Sequence, residues 1–251
     1  MITISKDLME QKIEKISSNM HKIKEKLTPD TSPIFVELLG TPKSGKTTLL
    51  KNLRGLFSNN DIEIFTRRET AEYNPVAKDA REYNLWMVLE LFRNLSEDIS
   101  NKQGKIVIYD RGILDRLTWL ERAVETGEMS KAEIDKIRAL YELEAIKNGY
   151  RPITLGFITT PELSVQRKGQ PGRAVNVENL TAYNRILLSA QNEIEKNSFT
   201  NSLTRTDTYQ GRLEEFILDI SSQLTDEIIN SLEIGKNKQV KSVKESIGEA
   251  R

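Results

Sequence analysis

Two patterns of apolar positions alternate along most of the chain. Short apolar runs predict strands that are buried in a sheet, and they cover residues 34–39, 62–65, 105–109, 153–158 and, more weakly, 202–206. Between them apolar residues recur at three- and four-residue steps, which is typical of amphipathic helices, over 46–56, 83–100, 113–124, 131–147 and 177–196. Strands and helices that alternate in this way predict an α/β fold, a doubly wound parallel sheet of five strands with flanking helices.

Both ends of the chain carry further helical patterns. From Ser5 to Leu27 the apolar spacing predicts an amphipathic helix that packs on the domain or on a second subunit, and the proline-containing segment 28–33 ends it. A closing helix is predicted over 213–232, and the residues after it lack an apolar stripe. We therefore expect an N-terminal helix and linker over 1–32, one main domain over 33–235, and a flexible tail over 236–251.

Composition narrows the function classes. A chain of 251 residues suffices for one α/β domain. Lysine plus arginine and aspartate plus glutamate both total 37, and this neutral balance argues against bulk binding of nucleic acid or of anionic membranes. There is no cysteine, which excludes disulfides, thiolate zinc sites and cysteine nucleophiles, and there is a single histidine, His21. No apolar run approaches the roughly 20 residues of a membrane span, and the charged N-terminus lacks a signal-peptide pattern, so we expect a cytoplasmic protein.

The segment GTPKSGKTT, residues 40–48, carries the most specific chemical signal. It fits the pattern G-x-x-x-x-G-K-[ST], follows a predicted strand and begins a predicted helix. The glycines allow backbone N–H groups to turn towards phosphate oxygens, and the helix N-terminus attracts the same anion. The predicted ATP-binding residues are Gly40, Thr41, Pro42, Lys43, Ser44, Gly45, Lys46, Thr47 and Thr48. Lys46 is expected to reach the β- and γ-phosphates, and the Thr47 hydroxyl to bind Mg²⁺.

Charged residues also follow the other predicted strands. The segments concerned are 66–70 (TRRET), 109–112 (YDRG) and the basic stretch 166–173 (QRKGQPGR) beyond the fourth strand. Ligands of open α/β sheets bind at the carboxyl ends of the strands, and two of these segments pair a carboxylate with arginine. The sequence therefore predicts the site of a second substrate at this edge of the sheet.

Four of these pieces, in their order over roughly Ile34 to Thr208, resemble the thymidylate kinase and deoxynucleoside kinase group of P-loop kinases. They are the phosphate loop, the segment 67–70, the strand end 106–111, and the segment 167–173, which resembles a basic lid that leads into a helix. The resemblance implies that 33–235 is a P-loop kinase domain. It implies transfer of the γ-phosphoryl group of ATP, with Mg²⁺, to a small acceptor such as a nucleoside or nucleoside monophosphate. Family habit and the apolar stripe of the first helix also suggest a homodimer.

The resemblance assigns catalytic roles to individual residues. The residues concerned are Lys46, Glu69, Asp110, Arg111, Lys168 and Arg173. Glu69 matches the carboxylate that takes a proton from the accepting hydroxyl. Asp110 would either bind Mg²⁺ together with Thr47 or orient the acceptor, and Arg111 would face the transferring group. Cations of a closing lid would neutralise the charge that builds on that group.

The resemblance also outlines an acceptor site. Its predicted residues are Arg68, Glu69, Trp86, Arg93 and Arg111. Arg68 matches the arginine that holds a monophosphate acceptor, whereas Arg67 should face the opposite way because neighbouring strand residues alternate. Arg93 matches an arginine on the helix that lines the acceptor pocket. On the same helix, Trp86 and Tyr83 would stack on a base.

Departures from the family pattern leave the acceptor open. Lys43 places a cation where the family has a small or acidic residue, segment 71–75 replaces a glycine-rich stretch, and Gly112 replaces an aromatic residue or serine. A second Asp-Arg pair, residues 115–116, points into the acceptor pocket or pairs along its helix. Two alternatives therefore remain. One is an NTPase that hydrolyses or senses nucleotide for a partner protein. The other is a kinase of a non-nucleotide or polynucleotide hydroxyl.

Overall fold

The computed structural model describes residues 6–78, 82–168, 175–197, 202–207 and 213–248. Its centre is a parallel sheet in the order β2-β3-β1-β4-β5. The strands are β1 (Ile34–Gly40), β2 (Ile64–Arg67), β3 (Ile106–Asp110), β4 (Ile153–Ile158) and β5 (Ser202–Asp207). The predicted α/β class with a parallel sheet and flanking helices is confirmed.

Helices cover both faces of this sheet. They are α1 (Lys6–Lys26), α2 (Lys46–Ser58), α3 (Glu82–Asn101), α4 (Ile113–Glu125), α5 (Lys131–Tyr141), α6 (Glu144–Gly149), α7 (Pro161–Lys168), α8 (Val177–Asn197) and α9 (Leu213–Gly248), with a short 3-10 helix over Thr70–Glu72. Apolar residues of α1, α2 and α9 form one core layer, and those of α3 to α6 form the other. The central strand β1 is buried throughout and contributes to both layers, as its continuous apolar run requires. Within the described residues, no helix is long and apolar enough to cross a membrane.

The first helix packs on its own chain. Ile16, Met20 and Ile23 of α1 are buried in the same core layer as α9. Beside them the Asn19 amide donates to the Thr225 hydroxyl at 3.1 Å and to Asp226 at 2.8 Å. Of the two placements that the sequence allowed for this helix, the structure shows packing on the domain.

Several predicted element boundaries were wrong. The pattern over 131–147 predicted one helix, but the backbone of Leu143 is extended (φ −56°, ψ 132°) and separates α5 from α6. The separate α6 can then bury Ile146 in the second core layer. No helix was predicted between β4 and the basic stretch 166–173, but residues 161–168 form α7, a helix of eight residues that buries only Ser164 and so has no apolar stripe. Strand β2 begins at Ile64, two residues later than predicted.

Helix α9 continues far beyond residue 232, where we predicted its end. It extends to Gly248 and includes most of the segment predicted as a flexible tail. The prediction relied on the loss of an apolar stripe after that point. Lysine, glutamate and glutamine, which are common in this segment, favour helix without any apolar stripe. Whether the segment is flexible stays a prediction.

Candidate active site

The phosphate loop is a tight turn between β1 and α2. Gly40 and Gly45 have φ angles of 126° and 106°, in the region that favours glycine. A Cβ atom at Gly40 would lie 2.0 Å from the carbonyl oxygen of Phe157 on β4, so only glycine fits there. Lys43 has a positive φ of 62° although it is not glycine. The turn brings the N-terminus of α2 to the carboxyl edge of the sheet.

Lys46 is buried within this turn. Its ammonium group donates to the carbonyl oxygens of Gly40 and Thr41, both at 2.9 Å. Burial and the positive charge of Arg111 lower the pKa of Lys46 to about 7, and nearby carboxylates, Asp115 first, partly oppose this. In this structure the ammonium group of Lys46 is therefore held by two hydrogen bonds to neutral carbonyl oxygens, which are weak acceptors for a cation. The oxygens of a triphosphate would be stronger ones.

Two helices hold the loop from outside. The Thr41 hydroxyl, fully buried, donates to the Asn184 side chain on α8 at 2.8 Å and accepts from the backbone N–H of Thr159 at 3.2 Å. On α7 the Ser164 hydroxyl donates to the carbonyl oxygen of Pro42 at 2.6 Å. The side chain of Thr41 is thus occupied by contacts within the protein. In the predicted ATP site, Thr41 would therefore contribute its backbone and not its side chain.

Arg111 connects the loop to the predicted acceptor side. Its guanidinium lies 2.9 Å from Glu69 and 2.7 Å from Asp115, and it donates to the carbonyl oxygen of Gly40 at 3.3 Å. Burial alone would lower the pKa of Arg111, but the carboxylates of Asp115 and Glu69 raise it, so the side chain stays charged. Its backbone has a φ of 72°, an uncommon value for a residue other than glycine. Such local strain is often found at functional sites.

Asp115 holds the guanidinium of Arg111 in place through a buried ion pair. One oxygen of its fully buried carboxylate accepts from Arg111 and, at 2.5 Å, from the hydroxyl of Tyr183 on α8. Burial would raise the pKa of Asp115, but Arg111 and Arg116 hold it below its usual value. Sequence reasoning singled out Asp115 and Arg116 as a repeated pair without assigning them. It missed Tyr183 altogether, because in the sequence that residue is one aromatic position on a helical stripe.

Glu37 lies beneath the turn that carries Arg111. Its fully buried carboxyl group accepts from the backbone N–H of Leu114 at 2.9 Å and from the Tyr150 hydroxyl at 3.4 Å. Burial raises the pKa of Glu37 to about 8. A Cβ atom at Gly112 would lie 2.4 Å from the carboxyl carbon of Glu37. This close approach explains why glycine stands where the family pattern has a larger residue.

The two neighbouring arginines at the end of β2 have different surroundings. Arg67 forms a two-point ion pair with Asp98 of α3, at 2.9 and 2.7 Å, and Asp98 also accepts from the Tyr109 hydroxyl at 2.7 Å. Arg67 therefore joins β2 to α3. Arg68 is exposed, and within the described part of the chain it makes no side-chain hydrogen bond or ion pair.

On α3, two predicted acceptor residues have neighbours of their own. Trp86 is half-buried and packs edge-on against Tyr73, with 5.8 Å between ring centroids. Arg93 is mostly exposed and forms a two-point ion pair with Glu90 at 2.7 and 2.9 Å. An acceptor that binds Arg93 would have to compete with this carboxylate. Both roles stay predictions.

The structure describes three of the four predicted metal and lid residues. Asp110 ends β3, and burial raises the pKa of its carboxyl group against the opposing charges of Lys46 and Arg111. Thr47 is exposed in the first turn of α2. Lys168 is exposed at the end of α7, and Arg173 lies outside the described residues. Among the described residues, no three His, Cys, Asp or Glu side chains form a ready metal cluster.

Comparisons with known proteins identify relatives of this chain in sequence and in fold. A thymidylate kinase from Clostridium novyi (strain NT) is 32% identical over 149 residues, which cover 53% of this chain and 69% of that protein. The structure of a deoxyadenosine kinase from M. mycoides with bound dCTP superposes with a TM-score of 0.58 at 15% identity, covering 77% of this chain and 100% of the other. The same enzyme with bound dATP gives 0.54 at 18% identity, over 76% and 99%. These two structures show the fold. No protein-family model matches the chain.

Proposed function

Because the chain belongs to the thymidylate kinase family of P-loop nucleoside and nucleotide kinases, we propose that it moves the γ-phosphoryl group of ATP onto a nucleoside or a nucleoside monophosphate. One observation carries this proposal. Arg111 contacts the phosphate loop at Gly40 and pairs with Glu69 on the opposite side. A charged guanidinium between a donor loop and an acceptor carboxylate lies where a phosphoryl group in transit needs positive charge.

The donor is held by the phosphate loop. The loop amides and the N-terminus of α2 bind the phosphate oxygens, and Lys46 exchanges its two carbonyl partners for the β- and γ-phosphates. Charge on the bound phosphates raises the pKa of Lys46 from about 7 and keeps the lysine protonated. This change favours bound triphosphate over the empty loop.

The acceptor is held opposite the loop. Glu69 is half-buried beside Arg111 and orients the accepting group. If that group is a hydroxyl, Glu69 takes its proton as the oxygen attacks the γ-phosphorus and ADP leaves. If the acceptor is already a phosphate, positioning and charge suffice. The exposed Arg68 then binds the acceptor phosphate, and the lid cations Lys168 and Arg173 meet the developing charge.

Thr47 and Asp110 would hold a magnesium ion at the phosphate loop. A hydroxyl and a carboxylate are hard oxygen donors, and Mg²⁺ in such sites keeps several waters and needs only one or two protein ligands. When bound, the ion would neutralise part of the charge on the phosphates.

An acceptor screen tests the proposal. The full chain is incubated with ATP and Mg²⁺ and a panel of nucleosides and nucleoside monophosphates, and products are identified by mass. We expect one acceptor class to gain a phosphoryl group at the expense of ATP. Release of inorganic phosphate without any phosphorylated acceptor would instead identify an NTPase, and no consumption of ATP at all would refute both.

A further inference from the structure

Arg116 is a buried cation without partners for two of its donors. The residue is 4% exposed, and its Nε and Nη2 atoms make no hydrogen bond. Buried polar atoms are almost always paired, and an unpaired one is costly. These two atoms form one edge of the guanidinium, the edge that binds two neighbouring acceptor atoms at once. Arg116 therefore has two adjacent N–H donors that could bind a ligand at two points.

Other unsatisfied polar atoms surround this arginine. The second oxygen of Asp115 and the hydroxyl of Tyr141 on α5 are both buried and without hydrogen-bond partners. Burial lowers the pKa of Arg116 against the opposing carboxylates of Asp115 and Glu69, and its charge also acts on Tyr83. We call Arg116, Tyr141 and the free oxygen of Asp115 the Arg116 recess. It adjoins Glu69 and Tyr83, the residues of the predicted acceptor side.

The charges around the recess are already balanced. Arg111 and Arg116 are matched by Glu69 and Asp115, so a second anion is not needed to neutralise them. Neither the free oxygen of Asp115 nor the Tyr141 hydroxyl accepts from Nε or Nη2 of Arg116, so both donors lack acceptors. A neutral group with two adjacent acceptor atoms supplies these without disturbing the balance. On an acceptor nucleoside or nucleotide, that group is an edge of the base.

We propose that Arg116 selects the base of the acceptor, favouring a base edge with two adjacent hydrogen-bond acceptors. Guanine offers O6 and N7, the pair that arginine commonly binds at two points, and cytosine offers O2 and N3. Adenine places an amino donor beside N7, and thymine places an N–H donor beside each carbonyl, so each leaves one arginine donor unpaired. This inference rests on the proposed function and specifies its acceptor.

Direct binding tests this selection without relying on turnover. Calorimetry titrates guanosine, cytidine, adenosine and thymidine, and their monophosphates, into the full chain. We expect guanine or cytosine compounds to bind about ten- to a hundredfold more tightly than adenine and thymine compounds. The two favoured arms show which edge is used. A wild-type preference for adenine or thymine, or equal binding of all four, overturns the proposal.

Variants locate the selection at the arginine. R116Q is expected to lose the preference, and R116K to lose most of it while keeping the charge, because an ammonium lacks the two-point edge. R151Q is the matched control, since Arg151 precedes β4 at the other end of the sheet, and it should rank the bases as the wild type does. Thermal melts check that each variant folds. An unchanged ranking in a folded R116Q overturns the proposal.

The acceptor screen separates this inference from the proposed function. If phosphoryl transfer occurs but the product follows no base preference, the function stands and the role of Arg116 falls. If guanine or cytosine nucleosides bind with the expected ranking but receive no phosphoryl group, the selection stands and the kinase activity falls.

Discussion

The phosphate loop and the Arg116 recess are both buried and polar, yet they differ in how far the protein satisfies them. In the loop, Lys46 donates to two backbone carbonyl oxygens, and the Thr41 hydroxyl donates to a side chain of α8. In the recess, atoms of Arg116, Asp115 and Tyr141 have no hydrogen-bond partner. A group bound at the loop must therefore displace existing bonds, whereas one bound at the recess completes missing ones. We therefore expect selectivity on the acceptor side.

The largest effect is expected at the loop. Lys46→Ala should reduce phosphoryl transfer about a thousandfold or more, because a preorganised cation at the transferring charge is lost. The fold should persist. The carbonyl oxygens that lose the Lys46 ammonium group still lie close to the N-terminus of α2, whose positive end favours them. Product mass and a thermal melt measure both. Lys51→Ala, an exposed lysine of the same helix, is the control and should change neither. Unchanged turnover in Lys46→Ala would end the kinase proposal.

The second effect concerns Glu37, which lies beneath the turn that carries Arg111. The pKa of Glu37 is about 8 in the fold against 4.5 for a free side chain. Folding therefore takes up a proton between these values, and the wild type loses stability as the pH rises through them. Glu37→Gln does not titrate, so its advantage over the wild type should grow from about pH 5 to about pH 8 by a few kcal/mol, then level off. Urea unfolding across this range measures it. A flat difference for Glu37→Gln across this range would contradict the prediction.

The third effect tests how the loop is held. Thr41→Val keeps the shape of the side chain but removes its hydroxyl. The Asn184 oxygen and the Thr159 N–H then each lose a hydrogen-bond partner. We expect a loss of about 2 kcal/mol in the free energy of unfolding. Thr48→Val, at an exposed position of the same loop, should cost far less. Equal costs would mean that the contacts of Thr41 do not support the loop.

The smallest effect tests the support of Arg111. Tyr183→Phe removes one donor to Asp115, which keeps its bond to Arg111, so the cost should be about 1 kcal/mol. A moderate fall in kcat with an unchanged KM for ATP is expected, because the defect lies on the acceptor side. Tyr141→Phe removes a buried hydroxyl that has no hydrogen-bond partner and should not lower stability. A rise in the KM for ATP alone would place Tyr183 on the donor side instead.

The sequence predicted best what depends on neighbours along the chain. The loop at 40–48 could be recognised because each position has a local reason, and strand β4 was predicted with its observed bounds because it is a continuous buried run. The interruption at Leu143 and helix α7 were missed, since neither carries an apolar period.

Contacts between distant segments could not be predicted in this way. Nothing in the sequence places Tyr183 against Asp115, 68 residues apart, or Asn184 against Thr41, 143 residues apart. Likewise Gly112 stood out only as a departure from a pattern. Its reason, the carboxyl group of Glu37 directly beneath it, depends on the packing of β1 under the turn.

Tyr183 and Asn184 are consecutive residues of one helix, and this adjacency has a thermodynamic consequence. Asn184 bonds to the donor loop while Tyr183 bonds to the carboxylate that fixes Arg111. Any tilt of α8 that tightens one attachment alters the other. We therefore expect ATP and acceptor to bind cooperatively, with each ligand changing the affinity of the other by the same factor, as reciprocal linkage requires.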